Sequence, residues 1–184
     1  MVKAKSSSSR EGLETDVSLS SPQWAQALPR AEALSQEAAM AAFRASKPGP
    51  GPMEVSIVLA DDAFVQNLNR DYRDQDKPTN VLSFSALQEE EKTKLPADAP
   101  KLLGDVVVAY ETTAAEARDQ GKPLGDHLSH LVIHGMLHLL GHDHQTASRA
   151  NEMEKLEMDV LAGLEIANPY ADGRPAQTAV DLSR

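Results

Sequence analysis

All six histidines of this chain lie between His127 and His144, and their spacing constrains the fold more than any other feature. His127, His130, His134 and His138 are separated by three, four and four residues, which places them on one face of a helix. The imidazoles of such a face either form hydrogen bonds within the core or bind a metal ion.

Helix geometry selects three of the six as ligands of one ion. Side chains four residues apart converge, so His134 and His138 can hold one ion at metal–nitrogen distances of about 2.1 Å. His130 lies about 12 Å along the helix axis from His138, too far to share that ion. Gly141 is expected to end the helix in a left-handed conformation, so that the chain folds back and His144 supplies the third nitrogen.

This spacing matches the zinc site of the metzincin proteases, H-E-x-x-H-x-x-G-x-x-H, with one difference. Where those proteases carry a glutamate as general base, this chain has Gly135. The ligand scaffold is present, but the carboxylate that deprotonates water for peptide cleavage is not. The sequence therefore predicts a metal site that disfavours peptidase activity.

Three imidazoles leave an ion with open positions, which is typical of a catalytic rather than a structural site. The chain has no cysteine, so the metal must be held by nitrogen and oxygen atoms, and no disulfide is possible. We predict one zinc ion per chain, although imidazole also suits copper, iron and nickel. Asp143 is a candidate base or imidazole partner, and equally a turn residue after the helix.

Hydrophobic periodicity predicts an α+β domain in which a small mixed β-sheet packs against several helices. Alternating apolar residues predict strands at about 54–60 and 81–87, and Val106-Val107-Val108 indicates a strand over 102–110 that is buried on both faces. A short helix capped by Asp61 or Asp62 precedes a polar loop over 70–80. The other helices are predicted at about 22–46, 111–120, 125–140 and 147–163, and an exposed excursion at 88–100.

A chain of 184 residues favours a single domain. We expect a disordered Ser-rich tail over residues 1–20, one metalloprotein domain over 21–167, and a flexible tail over 168–184. No apolar run is long enough for a signal peptide or a membrane span, so the cytoplasm is the expected location. The formal net charge of -10 opposes tight nonspecific binding of nucleic acid.

Three sequence blocks together resemble the YbeY family of bacterial rRNA maturation factors and endoribonucleases. They lie in the family's order between about residues 54 and 160, and His142 departs from the family signature HGxLHLxGYDH, which has tyrosine there. The blocks are HGMLHLLGHDH (residues 134–144), a segment with Leu68-Asn69, Tyr72-Arg73 and DKPTNVLSF (residues 76–84), and Leu103-Gly104-Asp105.

The resemblance implies a single-strand-specific, metal-dependent endoribonuclease that acts in small-subunit rRNA maturation and ribosome quality control. It places His134, His138 and His144 on the family's zinc ligands and Arg73 on its functionally important arginine, near the metal. The implied partners are single-stranded rRNA precursor, the small ribosomal subunit and its assembly factors, with no membrane and no DNA.

Arg73 lies in the predicted polar loop, where its guanidinium can bind a phosphate through two hydrogen bonds. Arg70 and Lys77 flank it, so the loop is expected to form a local basic lip. Two alternatives stay open: an assembly factor whose zinc site is mainly structural, and a hydrolase of another substrate. The sequence also leaves open whether water or the RNA 2′-hydroxyl attacks the phosphorus.

Overall fold

The computed structural model describes residues 12–86, 96 and 99–171, and it confirms the predicted α+β class with a small mixed sheet. Four strands and six helices occur in these residues. The strands are β1 (Leu13–Leu19), β2 (Met53–Ala60), β3 (Val81–Ser85) and β4 (Lys101–Ala109). The helices are α1 (Pro22–Ala27), α2 (Ala31–Ser46), α3 (Asp62–Arg73), α4 (Tyr110–Asp119), α5 (Leu124–Leu139) and α6 (Ala147–Gly163).

The strand order is β1-β2-β4-β3, with β1, β2 and β4 parallel and β3 antiparallel to β4. Val106, Val107 and Val108 of β4 are all buried, as predicted for a strand covered on both faces. Val106 and Val108 belong to the main core with α5, whereas Val107 packs in a second cluster with Val65 of α3. Since successive side chains point to opposite faces, α3 and α5 lie on opposite sides of the sheet.

The structure corrects the predicted disordered tail over residues 1–20, because Leu13–Leu19 form the edge strand β1. Leu13 and Thr15 are buried, but most of this strand is polar and pairs with β2 through its backbone. Leu13, Val17 and Leu19 do alternate with polar residues, but the Ser-rich, charged composition of the first 20 residues conceals this short strand pattern. Residues 1–11, most of the predicted excursion at 88–100 and residues 172–184 lie outside the described part of the chain.

The helix predicted over 22–46 is two helices separated at Pro29. A proline disfavours helical geometry in the residue before it, and Leu28 accordingly has φ -141° and ψ 83°. The break turns α1 so that the indole of the fully buried Trp24 donates a hydrogen bond to the carbonyl of Ala60, at 3.0 Å. This contact anchors α1 at the end of β2.

Helix α3 extends further than the sequence predicts. Asp61 is its cap, accepting a 2.8 Å hydrogen bond from the backbone N–H of Phe64. The helix continues to Arg73, which is therefore its last residue rather than part of the predicted loop over 70–80. Asp74 ends it with a φ of 54°, a left-handed conformation that aspartate adopts more readily than most residues.

Helix α5 packs against the sheet at Gly135. A Cβ atom at this position would lie 2.8 Å from Cγ1 of Val106 and 3.0 Å from the hydroxyl oxygen of Ser83. That hydroxyl donates a 3.3 Å hydrogen bond to the carbonyl of Gly135. Every residue from 127 to 139 is buried. Even so, none of the described helices is long and apolar enough to cross a membrane.

Replacing Gly135 by alanine should therefore destabilise the fold by about 1–3 kcal/mol, because the added methyl group meets well-packed atoms of the sheet. Urea unfolding followed by circular dichroism measures the change. Gly163→Ala is the matched control, since nothing lies within 4 Å of a Cβ there. Equal stability of the Gly135→Ala variant and the wild type would contradict the close approach.

Candidate metal centre

Three histidines converge as the spacing predicts. One ligand nitrogen each from His134, His138 and His144 lies within 4.8 Å of the other two. The Nε2 atoms of His134 and His138 are 3.0 Å apart, close to the separation of about 3.3 Å for two nitrogens on one tetrahedral zinc ion. Two of these side chains are buried and His144 is exposed. The donor set fits a single ion.

The turn after α5 brings His144 to the other two ligands. Gly141 has a φ of 94°, as predicted for the residue that ends the helix. Its N–H donates to the carbonyl of His138 and the N–H of His142 donates to that of Leu137, both at 3.0 Å. This pair of bonds is the Schellman motif, which reverses the chain direction. The ring of His144 consequently lies 5.0 Å from that of His138, between centroids.

Asp143 has the contacts of a turn residue. Its Oδ1 accepts a 3.0 Å hydrogen bond from the N–H of Gln145, and its Oδ2 accepts one of 2.6 Å from Arg149. The backbone bond from Gln145, and then Arg149, hold the pKa of this carboxyl below its usual range. Both oxygens thus support the turn on which His144 stands.

Glu157 of α6 lies behind the ligand helix, with its side chain only 1% exposed. It accepts hydrogen bonds from Nδ1 of His134, from Nε2 of His130 at 3.2 Å, and from the hydroxyl of Tyr170. Burial by itself raises the pKa of Glu157, but the bonds from His130 and His134 outweigh it and hold the pKa well below its usual range.

The ionised carboxylate of Glu157 sets the tautomer of the metal ligand His134. Because a carboxylate only accepts, Nδ1 of His134 carries the hydrogen and Nε2 presents its lone pair toward His138. Glu157 is not among the residues predicted from the sequence, although its position carries a signal. Glu157 occupies the buried stripe of α6, four residues after Met153 and three before Val160, where an apolar residue is expected.

The contacts of Tyr170 show that the flexible tail predicted over 168–184 does not begin at residue 168. Its ring lies edge-on to that of His130, with centroids 5.9 Å apart, and its hydroxyl donates to Glu157. Burial, and then the charge of Glu157, raise the pKa of Tyr170, so the phenol stays a donor. Tyr170 thus connects the segment after α6 to Glu157 and His130.

The other histidines have different roles. His127 lies 2.8 Å from a carboxylate oxygen of Glu116, and His130 bonds Glu157 as described. Burial lowers the pKa of His130 more than Glu157 raises it. His142 lies outside the group of residues that converge. Helix geometry predicted that His130 is not a ligand, and in the structure His130 bonds Glu157 and lies outside the group of three.

A pocket of about 170 Å³ adjoins the ligands between α5, α6 and the segment that carries Tyr170. It leaves room for a substrate group beside the ion. Its lining residues are His134, His144, Ala150, Met153, Glu154, Glu157 and Tyr170.

Arg73 is held at the end of α3, on the opposite side of the sheet from α5. Its Nη1 donates a 3.3 Å hydrogen bond to the side-chain oxygen of Asn69, which is fully buried. The amide of Asn69 in turn donates to the carbonyl of Lys77 at 2.7 Å. Arg70 pairs with Asp71 at 3.1 Å, which reduces the charge of the predicted basic lip. Arg73 is thus fixed at the C-terminal end of α3 by the buried Asn69.

Two buried histidines on a helix, a third on the following turn and a carboxylate bonded to one of them form the donor set that is typical of a three-histidine metalloprotein. The family model described as Endoribonuclease YbeY matches residues 19–165, and the chain belongs to this family. The resemblance drawn from the three sequence blocks is thereby confirmed.

Curated relatives named Endoribonuclease YbeY match most of the chain. That of Paramagnetospirillum magneticum is 54% identical over 160 residues, covering 87% of this chain and 97% of its own. That of Rhodospirillum rubrum is 52% identical over 166 residues, covering 86% and 82%. That of Rhodopseudomonas palustris is 49% identical over 158 residues, covering 86% and 90%.

Replacing Glu157 by glutamine should weaken binding of Zn²⁺ by about 10- to 100-fold, because the neutral amide no longer raises the basicity of His134 or fixes its tautomer. Competition with a chromophoric chelator measures the affinity, after circular dichroism has shown that the variant folds. Glu154→Gln is the matched control, as Glu154 lines the same pocket. Equal affinities of the wild type and Glu157→Gln would rule out this role.

Proposed function

We propose that the chain is a zinc-dependent endoribonuclease that cleaves single-stranded rRNA precursor during maturation and quality control of the small ribosomal subunit, in the cytoplasm. The observation that carries the proposal is the convergence of His134, His138 and His144 in a chain of the endoribonuclease family. Its partners are then the rRNA precursor, the small subunit and the assembly factors bound to it.

Zinc is the metal that we assign to the three nitrogens, because tetrahedral geometry with imidazole donors and an open position is typical of catalytic zinc. When bound, zinc supplies a Lewis acid that polarises a phosphoryl oxygen and makes a nearby water more acidic. The contribution of the chain is to fix the ligands. Glu157 orients His134, and the Gly141 turn positions His144.

Gly135 supports RNA rather than peptide as the substrate. The metzincin glutamate would occupy this position, and its side chain would meet Val106 and Ser83 of the sheet. Cleavage of RNA does not require that carboxylate, since the substrate carries its own 2′-hydroxyl. An RNA with a single 2′-deoxy residue at the cleavage site identifies the nucleophile: cleavage stops if the 2′-hydroxyl attacks and persists if water does.

Arg73 is assigned to bind a phosphate of the RNA. Its guanidinium is held from one side by Asn69, and its remaining N–H groups can donate to a phosphate oxygen pair. We assign that phosphate to the RNA strand that is cleaved at the three histidines.

Replacing His138 by alanine should abolish zinc binding and reduce cleavage of an unstructured RNA by about 100-fold or more, because the ion loses a buried ligand. Elemental analysis of the purified protein and gel assays of RNA measure the two effects. His142→Ala is the matched control and should retain about one zinc per chain.

Undiminished cleavage by a folded, zinc-free His138→Ala variant would overturn the zinc-dependent mechanism. If this variant lacks cleavage but restores rRNA processing in cells, the chain is instead an assembly factor whose function does not require cleavage. Hydrolysis of a peptide by the wild type, with no action on RNA, would establish a different hydrolase.

Replacing Arg73 by alanine should keep the zinc content unchanged and lower kcat/KM for RNA by about 100- to 1,000-fold, because one charged phosphate contact is lost. Arg70→Ala is the matched control, since Arg70 is already paired with Asp71. Loss of zinc from the Arg73→Ala variant would show that the arginine is structural, and an unchanged kcat/KM would remove it from the site.

A further inference from the structure

Tyr72 is the most exposed of the large apolar side chains in the described part of the chain, with 54% of its surface accessible. It stands in the last turn of α3, one residue before Arg73. The ring of Phe84, from β3, lies across from it at 68°, with centroids 5.3 Å apart. Phe84 itself packs against the second core cluster. Tyr72 is thus a ring fixed in orientation, with more than half of its surface open.

A fixed aromatic ring beside a guanidinium suits single-stranded nucleic acid. Every base has a flat face that stacks on such a ring, and the adjoining phosphate pairs with the arginine. We propose that Tyr72, supported by Phe84, is a stacking site for a base of single-stranded RNA, and that Arg73 binds the next phosphate. The inference rests on the proposed function, which supplies RNA as the substrate.

Strand β3 connects this stacking site to the metal centre. Ser83 faces α5 and bonds the carbonyl of Gly135, the residue after the ligand His134. Phe84, the next residue of β3, faces α3 and contacts Tyr72. β3 is an edge strand, so an RNA strand can pass around it from one face of the sheet to the other. In this proposal, the RNA strand held at Tyr72 extends around β3 toward the three histidines.

Stacking also resolves a conflict raised by the net charge of -10. Long-range electrostatics oppose the approach of RNA to this protein, but stacking does not depend on net charge. It further predicts a preference for single strands, because the bases of a duplex present no free face. Tyr72 is therefore a residue that determines specificity for unpaired RNA.

A protein partner fits this surface less well. A stable interface buries about 800 Å² on each side around an apolar centre. Here Tyr72 is flanked by the exposed Asp71 and Asp74, so the apolar area is a single ring rather than the apolar centre of an interface. One base needs only one ring, which the surface provides.

The test is equilibrium binding of a short, fluorescently labelled 2′-O-methyl RNA without self-complementarity, measured by anisotropy with the zinc-loaded protein. Tyr72→Ala should bind it about 5- to 100-fold more weakly than the wild type, since one base stacked on an aromatic ring supplies that factor. Tyr72→Phe retains the ring and should bind like the wild type. Binding of the matching duplex should be the same for all three proteins.

Phe64→Ala is the matched control, because Phe64 is 43% exposed on the same helix but lies two turns away. Wild-type affinity of Tyr72→Ala, or equal losses for Tyr72→Ala and Phe64→Ala, would overturn the stacking site. Unchanged RNA affinity with lost binding to small ribosomal subunits would assign the surface to a protein partner and would also overturn it. A wild type that binds single strands but never cleaves them refutes the proposed function while leaving the stacking site intact.

Discussion

The close approach of α5 to the sheet at Gly135 determines where the metal ligands lie. Successive residues of a helix are rotated by about 100°. Gly135 faces Val106 of the sheet. Relative to Gly135, the side chains of His134 and His138 are rotated around the helix axis by about 100° and about 60° in the same direction. Both therefore point along the sheet rather than into it. That side faces α6 and the turn that carries His144. A larger residue at 135 would therefore displace the helix and both ligands, besides separating α5 from the sheet.

The second determinant is the buried charge of Glu157. An ionised carboxylate in a core is costly unless donors surround it. Here the donors come from three parts of the chain: His130 and His134 on α5, and Tyr170 beyond α6. The charge that orients one metal ligand thus also joins α6 and the C-terminal segment to α5, so packing and the metal centre depend on the same group.

Local patterns account for what the sequence predicted well. His134, His138, Gly141 and His144 lie within one helix end and its turn, where spacing alone determines geometry, and the three valines of β4 report burial directly. The failures involve contacts between distant segments. β1 pairs through its backbone, and Tyr170 meets Glu157 only after folding. Arg73 was expected in a loop because a charged sequence does not show that α3 continues as far as Arg73.

The three histidines differ in how firmly the fold fixes their side chains. His134 and His138 are buried on a rigid helix, whereas His144 is exposed on a turn supported by Asp143 and Arg149. We expect an ion to enter and leave on the side of His144, because His144 is the exposed member of the three. Retention of an ion should then depend more on this surface turn than on the buried helix that carries His134 and His138.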